Sequence, residues 1–257
     1  IFDADANLCG ELPRFEEAMQ SFILNDDGSI DTPVLEPASR MPDKELTPAA
    51  LEENLNIEMV YYAIVLGIKD YFTKMGFTKA ILGSSGGIDS AVTLALACEA
   101  LGKDNVRAVL MPSQYSTGHS VTDAEQLSKN LGNPYDIIPV KNIYNSFLTE
   151  LKPIFKDLPF SIAEENIQSR TRGNLLMAIA NKFGYILLNT SNKSELATGY
   201  GTLYGDMAGG IGVLGDCYKL QIYALAKYIN KGGEIIPDNI ITKPPSAELR
   251  PGQKDSD

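Results

Sequence analysis

The feature that most constrains this chain is a short polar segment, Ser84–Ser90, which lies between two apolar segments. The residues before it, Lys79–Leu82, have the length and composition of a buried strand. The residues after it, Ala91–Leu101, are rich in Ala and Leu and predict a helix. A strand, a glycine turn and a helix start bind anions, because unpaired N–H groups and the positive end of the helix dipole point at the ligand. The segment therefore predicts a phosphate-binding loop.

The side chains of this loop indicate what it would hold. Gly86 and Gly87 permit positive φ and let an oxyanion approach the backbone, and the hydroxyls of Ser85 and Ser90 can donate hydrogen bonds to it. Asp89 is the informative residue, because a carboxylate beside a phosphate is repulsive unless a cation lies between them. We therefore expect Mg²⁺ to bridge Asp89 and a polyphosphate. The simpler alternative is a Gly-Ser turn with an ordinary first-turn acid.

Several other kinds of site are disfavoured. No Lys follows the glycines as in G-x-x-x-x-G-K-[ST], and G-x-G-x-x-G does not fit the segment. Gly83–Gly87 has the spacing G-x-S-x-G, but a nucleophile elbow there is disfavoured together with the Ser-His triad. His119 is the single histidine of the chain, which disfavours a His-based zinc site or a Ser-His triad. Cys9, Cys98 and Cys217 have no paired spacing, which favours a reducing, cytoplasmic location, and none has an evident His partner for glutamine hydrolysis.

The negative charge is concentrated at the start of the chain. Residues 1–58 carry the whole net charge of −11, because they contain 14 Asp and Glu residues but only 3 Lys and Arg residues. Residues 59–257 contain 19 acidic and 19 basic residues and are neutral overall. The larger part therefore neither repels an anionic nucleotide nor has the basic surplus of a nucleic-acid-binding protein. No apolar run approaches the roughly 18 residues of a membrane span. We expect no nucleic-acid partner and no membrane partner.

Short apolar segments alternate with amphipathic ones in residues 54–257, and residues 1–53 read as an acidic arm or linker. The alternation predicts an α/β fold: a doubly wound, open parallel sheet with helices on both faces. Ligands of such sheets bind at the carboxyl ends of the strands, near the switch point. The predicted strands are Lys79–Leu82, Val106–Met111, Tyr135–Pro139 and Tyr185–Asn189, and the predicted helices are Leu55–Phe77, Ser90–Leu101, Ser120–Leu131, Lys141–Leu151, Ala163–Phe183 and Lys219–Asn230.

Two more polar segments would reach the same edge of the sheet. Thr190–Glu195 follows the fourth predicted strand, and Glu195 is the natural second carboxylate for the expected Mg²⁺. A helix-start acid capped by Ser194 is the alternative. Gly199–Gly215 contains 7 glycines, and such a run predicts either a functional loop or a flexible surface loop. In a functional loop, Asp206 would recognise an amide, a hydroxyl or an ammonium group.

Basic and polar side chains elsewhere are candidates for phosphate contacts. Asn166, Arg170 and Asn174 share one face of a predicted helix, and Arg170 and Arg172 would either clamp an oxyanion or pair with neighbouring acids on a solvated face. Lys219 and Lys243 could place positive charge near the phosphates. Met111, at the end of the second strand, either faces the adenine of a nucleotide or simply ends the strand.

Five segments, in this order, resemble the synthetase portion of bacterial NAD synthetases, especially of the glutamine-dependent form: Ser85–Ser90, Ala163–Arg172, Ser191–Glu195, Tyr204–Asp206 and Lys243–Arg250. The first is shared across the ATP pyrophosphatase superfamily, and the resemblance covers about residues 54–257. It implies an adenine nucleotide α-hydrolase-like fold. It also implies a reaction in which the nicotinate carboxylate of deamido-NAD attacks the α-phosphate of ATP, and ammonia then displaces AMP to give NAD.

The resemblance assigns roles to individual residues. It implies that Asp89, Glu195, Lys219 and Ser246 are catalytic, with Asp89 and Glu195 holding Mg²⁺. ATP would be bound by Gly83, Ser84, Ser85, Gly86, Gly87, Ile88, Asp89, Ser90, Met111, Thr190 and Lys219. Deamido-NAD would be bound by Asn166, Arg170, Arg172, Thr190, Glu195, Asp206 and Lys243.

The resemblance also implies partners. In the glutamine-dependent form a nitrilase-type glutaminase domain precedes the synthetase and supplies ammonia, and residues 1–53 would be its tail plus a linker. The family is homo-oligomeric, so we expect at least a dimer, with the helix Leu55–Phe77 and its Tyr61, Tyr62 and Tyr71 as the interface. Two alternatives stay open: another ammonia-using ATP pyrophosphatase, such as a GMP-synthetase-like or tRNA-modifying enzyme, or a nucleotide-binding module without turnover.

Overall fold

The structure is a computed structural model that describes residues 1–3, 5–10, 12, 14–15, 17–31, 54–244, 246 and 248–250. The chain divides into two compact units, Ile1–Ala50 and Leu51–Asp257. In the first, strands β1 (Ile23–Leu24) and β2 (Ile30–Asp31) form an antiparallel pair. Residues 32–53, most of the second half of the predicted arm, lie outside the described residues, so the boundary between residues 53 and 54 stays a prediction.

The second unit alternates helices and strands. Its elements are α1 (Asn54–Met75), β3 (Ala80–Gly83), α2 (Ile88–Leu101), β4 (Val106–Leu110), α3 (Gly118–Leu131), β5 (Tyr135–Ile137), α4 (Lys141–Phe155), α5 (Ile162–Phe183), β6 (Ile186–Asn189), α6 (Lys193–Thr198), β7 (Ile211–Gly212), α7 (Lys219–Ile229) and α8 (Asp238–Thr242). The predicted strands and helices are all found, with ends shifted by a few residues. The described part of the chain has no helix that is both long and apolar enough to cross a membrane.

Five parallel strands form the central sheet, in the order β5-β4-β3-β6-β7. From β3 the chain moves outward to β4 and β5, and it then returns to place β6 and β7 on the other side of β3. The strand order therefore reverses between β3 and β6, which is the switch point where open parallel sheets bind ligands. The predicted α/β fold with a parallel sheet is confirmed.

Helices cover both faces of the sheet, because alternate residues of each strand point to opposite sides. Ala80 and Leu82 of β3 pack on one face with helices α1, α2, α3, α7 and α8. Ile81, between them, packs on the other face with Leu176 and Ala180 of α5. Helix α2 lies in the centre of the larger face and is buried over most of its length, which explains why its sequence is apolar all round.

Much of helix α1 packs within its own chain, and the predicted subunit interface on it stays a prediction. Its Ile68 and Phe72 are buried, and Tyr61 and Tyr71 pack against the same core, so of the three tyrosines only Tyr62 is exposed. The apolar stripe of α1 is explained by packing against α2 and α7 within the chain. On the described residues, several exposed apolar side chains also lie on α4, on α5 and between them: Ile143, Phe147, Ile154, Leu158, Phe160 and Ile162.

Candidate active site

The phosphate loop runs from the end of β3 into α2. The hydroxyls of Ser85 and Ser90 share a hydrogen bond of 3.1 Å, and the amide of Gly87 donates to Ser85 Oγ at 3.1 Å. Ser90 Oγ in turn donates to the Gly87 carbonyl at 3.0 Å. Gly87 is the N-cap of α2, and no side chain caps this helix, in contrast to α3, α5 and α6. A helix N-terminus held open in this way is suited to an anion.

Gly86 is the residue for which the loop requires glycine. Its φ is +78°, and a Cβ atom there would lie 2.2 Å from the backbone oxygen of Ser120, in the first turn of α3. A side chain would therefore meet both backbone strain and a steric clash. Gly87 does not use the positive φ that glycine permits, since its φ is −88°, which any residue can adopt. The loop thus packs against α3 at Gly86.

The two predicted metal carboxylates reach one place from two neighbouring strands. Asn192 connects them: its Nδ2 donates to Asp89 Oδ1 at 2.9 Å, and its backbone N–H donates to Glu195 Oε2 at 3.0 Å. Lys219, at the start of α7, donates to Asp89 Oδ2 at 2.5 Å. Asp89 follows β3 and Glu195 follows β6, so the reversal of strand order brings the two acids together. Their predicted proximity is confirmed.

The electrostatics of this group favour a bound cation. Burial, followed by the negative charge of Asp89, raises the pKa of Glu195 to about 7, although the Asn192 amide and Lys219 oppose the shift. Two carboxylates and one ammonium group leave a net negative charge when both acids are ionised. A divalent ion would remove that repulsion. The oxygen donors present thus fit Mg²⁺.

Protein side chains alone do not complete a metal site. Among the described residues, no group of three or more His, Cys, Asp and Glu side chains is arranged to hold an ion. Mg²⁺ commonly keeps several waters and takes only one or two protein carboxylates together with substrate phosphates. The pair Asp89 and Glu195 matches that smaller donor set.

A cavity of about 590 Å³ opens at this edge of the sheet. A volume of this size is typical of small-molecule sites. Most of the predicted site residues line it: Gly83, Ser84, Ser85, Gly87, Ile88, Asp89, Ser90, Met111, Arg172, Thr190, Glu195, Asp206, Lys219, Lys243 and Ser246. Ser84 Oγ is buried without a hydrogen-bond partner, so the cavity wall contains a hydroxyl that a ligand could engage.

Gly86, Asn166 and Arg170 do not line the cavity. Gly86 faces α3 instead. Asn166 accepts a hydrogen bond from Thr202 Oγ1 at 2.8 Å, and the exposed Arg170 donates through Nε to the Leu203 carbonyl at 3.2 Å. Both contacts hold the glycine-rich loop against α5. Whether these two residues also contact deamido-NAD stays a prediction.

Asp206 anchors the glycine-rich loop. Its Oδ2 accepts from Ser169 Oγ at 3.0 Å, its Oδ1 accepts from the Thr202 amide at 2.6 Å, and its own amide donates back to Ser169 Oγ at 2.9 Å. The backbone of the loop also packs closely against α5: a Cβ atom added to Gly205 would lie 2.3 Å from Ser169 Oγ. The described loop is thus a fixed wall of the cavity, and β7 lies within it.

Arg172 and Lys243 both line the cavity. Arg172 Nε donates to the Met111 carbonyl at 3.1 Å, which ties α5 to the end of β4. Burial lowers the pKa of the Arg172 guanidinium, against the attraction of Glu248 and Asp206. Lys243 lies 3.4 Å from both Asp123 Oδ2 and Ser120 Oγ. Of the two acids predicted as alternative partners of Arg170 and Arg172, Glu164 caps α5 and Glu165 lies 3.9 Å from Arg250.

Sequence reasoning missed several residues that shape the site. Asn192 was not singled out, and Ser194 was named as the cap of the helix in which Glu195 lies. The structure has Asn192 as the N-cap of α6, in a capping box with Glu195. The spacing Asn-x-x-Glu was a usable signal for this arrangement. Ser169, Thr202 and Glu248 carry no such local signal, because their partners are distant in sequence.

Comparisons with known proteins agree with this geometry. Residues 60–257 match the family model described as NAD synthase. A glutamine-dependent NAD(+) synthetase of Synechocystis is 56% identical over 203 residues, which are 79% of this chain and 36% of the relative. The chain spans less than half the length of the first curated relatives that it matches.

Two solved structures are similar to the fold. The glutamine-dependent NAD+ synthetase from Acinetobacter baumannii, solved with ADP, matches with a TM-score of 0.75 and 40% identity, over 87% of this chain and 40% of that chain. The NMN synthetase from Francisella tularensis matches with a TM-score of 0.71 and 30% identity, over 78% of this chain and 79% of that chain. The family model alone covers well over half of the chain. The chain therefore belongs to the NAD synthase family.

Proposed function

We propose that this chain is the synthetase part of an NAD synthetase, a ligase that forms a C–N bond at the expense of ATP. The nicotinate carboxylate of deamido-NAD attacks the α-phosphorus of ATP, which gives an acyl-adenylate and releases pyrophosphate. Ammonia then attacks the acyl carbon, AMP leaves, and the nitrogen loses a proton to give the amide of NAD. The names of the relatives support this reaction.

The observation that carries the proposal is the meeting of Asp89, Glu195 and Lys219 beside an uncapped helix N-terminus. A carboxylate nucleophile is already ionised, so its attack on an anionic phosphorus needs charge neutralisation more than it needs a base. One ammonium group and a cation held by two acids supply that neutralisation. A site for binding alone does not require the second carboxylate.

Several side chains and backbone amides of the chain would contact the phosphates of ATP. Ser85, Ser90 and the first-turn amides of α2 would hold the leaving pyrophosphate, because they surround the helix N-terminus. Lys219 would move its ammonium group from Asp89 toward the phosphates as they enter. Ser246 lies on the cavity wall and would donate to a phosphoryl oxygen.

Mg²⁺, which we propose to be held by Asp89 and Glu195, would stabilise negative charge on the phosphate oxygens when bound. Thr190, at the end of β6, lines the cavity next to these acids and would contact either substrate. Met111 follows β4 in the cavity wall and would face the adenine, while Arg172, Asp206 and Lys243 would contact deamido-NAD.

The source of ammonia, the oligomeric state and the cellular location are also proposals. Ammonia would come from a glutaminase domain, as the names of the glutamine-dependent relatives suggest. We propose at least a homodimer, and a cytoplasmic location fits the free cysteines Cys9, Cys98 and Cys217.

One assay tests the proposed function. The chain is incubated with ATP, Mg²⁺, ammonium chloride and deamido-NAD, and AMP and NAD are measured together. Equal amounts of both products support the proposal. AMP formation that requires a different acceptor would support another ATP pyrophosphatase, and ATP binding without AMP formation would support a module without turnover.

A second acceptor refines the assay, because one structural neighbour is an NMN synthetase. Nicotinate mononucleotide replaces deamido-NAD in a parallel reaction, with all other components unchanged. We expect a kcat/KM at least about tenfold higher with deamido-NAD, since its second nucleotide adds binding contacts. A preference for the mononucleotide would show that the chain is an NMN synthetase instead.

A further inference from the structure

The segment after α8 lines the cavity, and its Glu248 contacts the N-terminal turn of helix α3. Ser120 Oγ donates to Glu248 Oε1 at 2.7 Å, and Thr117 Oγ1 donates to the same oxygen at 3.0 Å. The backbone N–H of Thr117 donates to Glu248 Oε2 at 3.3 Å. A negative carboxylate is thus placed at the N-terminus of α3, where the helix dipole favours it.

The same turn of α3 supports the phosphate loop. The backbone oxygen of Ser120 occupies the space where a side chain on Gly86 would lie. Gly86 precedes the N-cap of α2, so a shift of α3's first turn would change the room available to the loop. Contacts therefore run without a gap from Glu248 through Ser120 to Gly86.

The backbone of Glu248 is itself unusual. Its φ is +51°, in the left-handed region that residues other than glycine rarely adopt. Strain of this kind persists where surrounding contacts impose it, and it is found preferentially at functional sites. Here the contacts that impose it include those with Thr117 and Ser120, together with the Gln168 Nε2 bond to the Leu249 carbonyl at 2.8 Å.

We propose that Glu248 is a positioning residue for ATP binding: by fixing the first turn of α3, it holds the phosphate loop in its binding shape. The side chain acts through Ser120 and Gly86 and contributes no group to the reacting atoms. This inference rests on the proposed function, since it presupposes that the loop binds ATP. It also gives the segment after α8 a role at the phosphates in addition to that of Ser246.

The test measures ATP affinity by calorimetry in the presence of Mg²⁺, without turnover. Glu248→Ala removes all three hydrogen bonds, and we expect ATP to bind at least about tenfold more weakly. Glu248→Gln keeps an oxygen for the two hydroxyl donors but loses the acceptor for the Thr117 amide, so we expect a loss of about threefold. Hydrogen exchange should also become faster in residues 84–90 of the Ala variant.

Glu165→Gln is the matched control. Glu165 lies on α5 and contacts the same segment after α8 through Arg250, at 3.9 Å. We expect its ATP affinity to stay within about twofold of the parent chain. A Glu248→Ala variant that melts earlier but binds ATP as tightly as the parent would overturn the inference, because its role would then be structural.

The outcomes separate the inference from the proposed function. A parent chain that does not bind ATP contradicts the proposed function. A parent chain that binds ATP, with both Glu248 variants equally tight, contradicts the inference alone. If the Ala variant does not fold, the Gln variant decides: weaker binding with unchanged melting supports the inference, and unchanged binding overturns it.

Discussion

Asp89 has two partners of different character, an amide and an ammonium group. Under the proposed function its charge would act twice, to hold Lys219 before phosphate enters the site and to hold a cation afterwards. We expect Asp89→Asn to lower kcat/KM at least about 100-fold, because it removes charge stabilisation at the reacting phosphates. Product formation measured as AMP release checks this.

The matched control is Asp104→Asn, which neutralises an exposed acid paired with Lys103 away from the cavity. We expect its kcat/KM to stay within about twofold, as is usual for exposed ion pairs. Circular dichroism should show both variants folded. Full activity of Asp89→Asn would refute the assignment of Mg²⁺ to this residue.

Glu195 makes stability depend on pH with a defined sign. Burial and the charge of Asp89 raise its pKa from 4.5 to about 7 in the folded chain. Between these values the folded state holds a proton that the unfolded state has lost, so this group destabilises the fold as pH rises from about 4.5 to 7. We expect Glu195→Gln to remove this pH-dependent loss of stability. In buffer without Mg²⁺, the free energy of unfolding of the variant minus that of the parent chain should therefore increase from pH 5 to pH 8.

Thermal melting of both chains across this range is the measurement. Glu164 is a control of opposite sign, because the hydrogen bond from the Ser161 amide lowers its pKa. Its stabilising contribution is present above its unfolded pKa and lost as pH falls, so Glu164→Gln should cost stability at neutral pH. A difference between parent and Glu195→Gln that stays constant with pH would contradict the predicted role of Glu195.

Among the elements, the phosphate loop and α3 are coupled at Gly86. We expect Gly86→Ala to destabilise the chain by about 2–4 kcal/mol, because positive φ and a close backbone contact both oppose a side chain. ATP affinity should fall with it. Chemical denaturation gives the stability, and calorimetry gives the affinity.

Gly67 provides the control substitution in a helix. It lies on the exposed side of α1, and a Cβ atom added there would have no other atom within 4 Å. Gly67→Ala should therefore stabilise the chain by about 0.5–1 kcal/mol through helix propensity. Equal effects at the two positions would mean that the contact between Gly86 and Ser120 is not a constraint.

The sequence predicted the elements well where hydrophobic pattern and length agree. The predicted strands become β3, β4, β5 and β6, since each is a short apolar run. The two-residue strand β7 was not predicted, because Ile211–Gly212 has too few residues for a pattern and lies among glycines. Helix α8 was missed for a related reason: five residues between prolines carry no helical period.

At the scale of the whole molecule, sequence order predicted which loops meet, but it could not predict which side chains touch. Asp89 and Glu195 follow strands on either side of the switch point, so the topology alone brings them together. Contacts such as Ser169 with Asp206, or Ser120 with Glu248, depend on how helices pack on the sheet. No local pattern specifies that packing.

Exposed apolar side chains at the junction of α4 and α5 favour assembly of the chain with a second copy. Ile154, Leu158 and Ile162 are each more than two-thirds exposed, at 71%, 74% and 71%, around the junction of α4 and α5. Burying such side chains is worth roughly 1.5–3 kcal/mol each, so a second copy of the chain would gain by covering them. We expect light scattering at micromolar concentration to give at least twice the chain mass of 27.9 kDa.

Two substitutions locate the interface. Ile154→Glu puts a charge into the exposed apolar group and should give a 27.9 kDa monomer at the same concentration. Met75→Glu changes an exposed apolar residue at the end of α1 and should leave the oligomer intact, because α1 packs within its own chain. The reverse pattern would support the interface on α1 that the sequence predicts. A parent chain that is monomeric throughout would show that homo-oligomer formation is not a property of this chain.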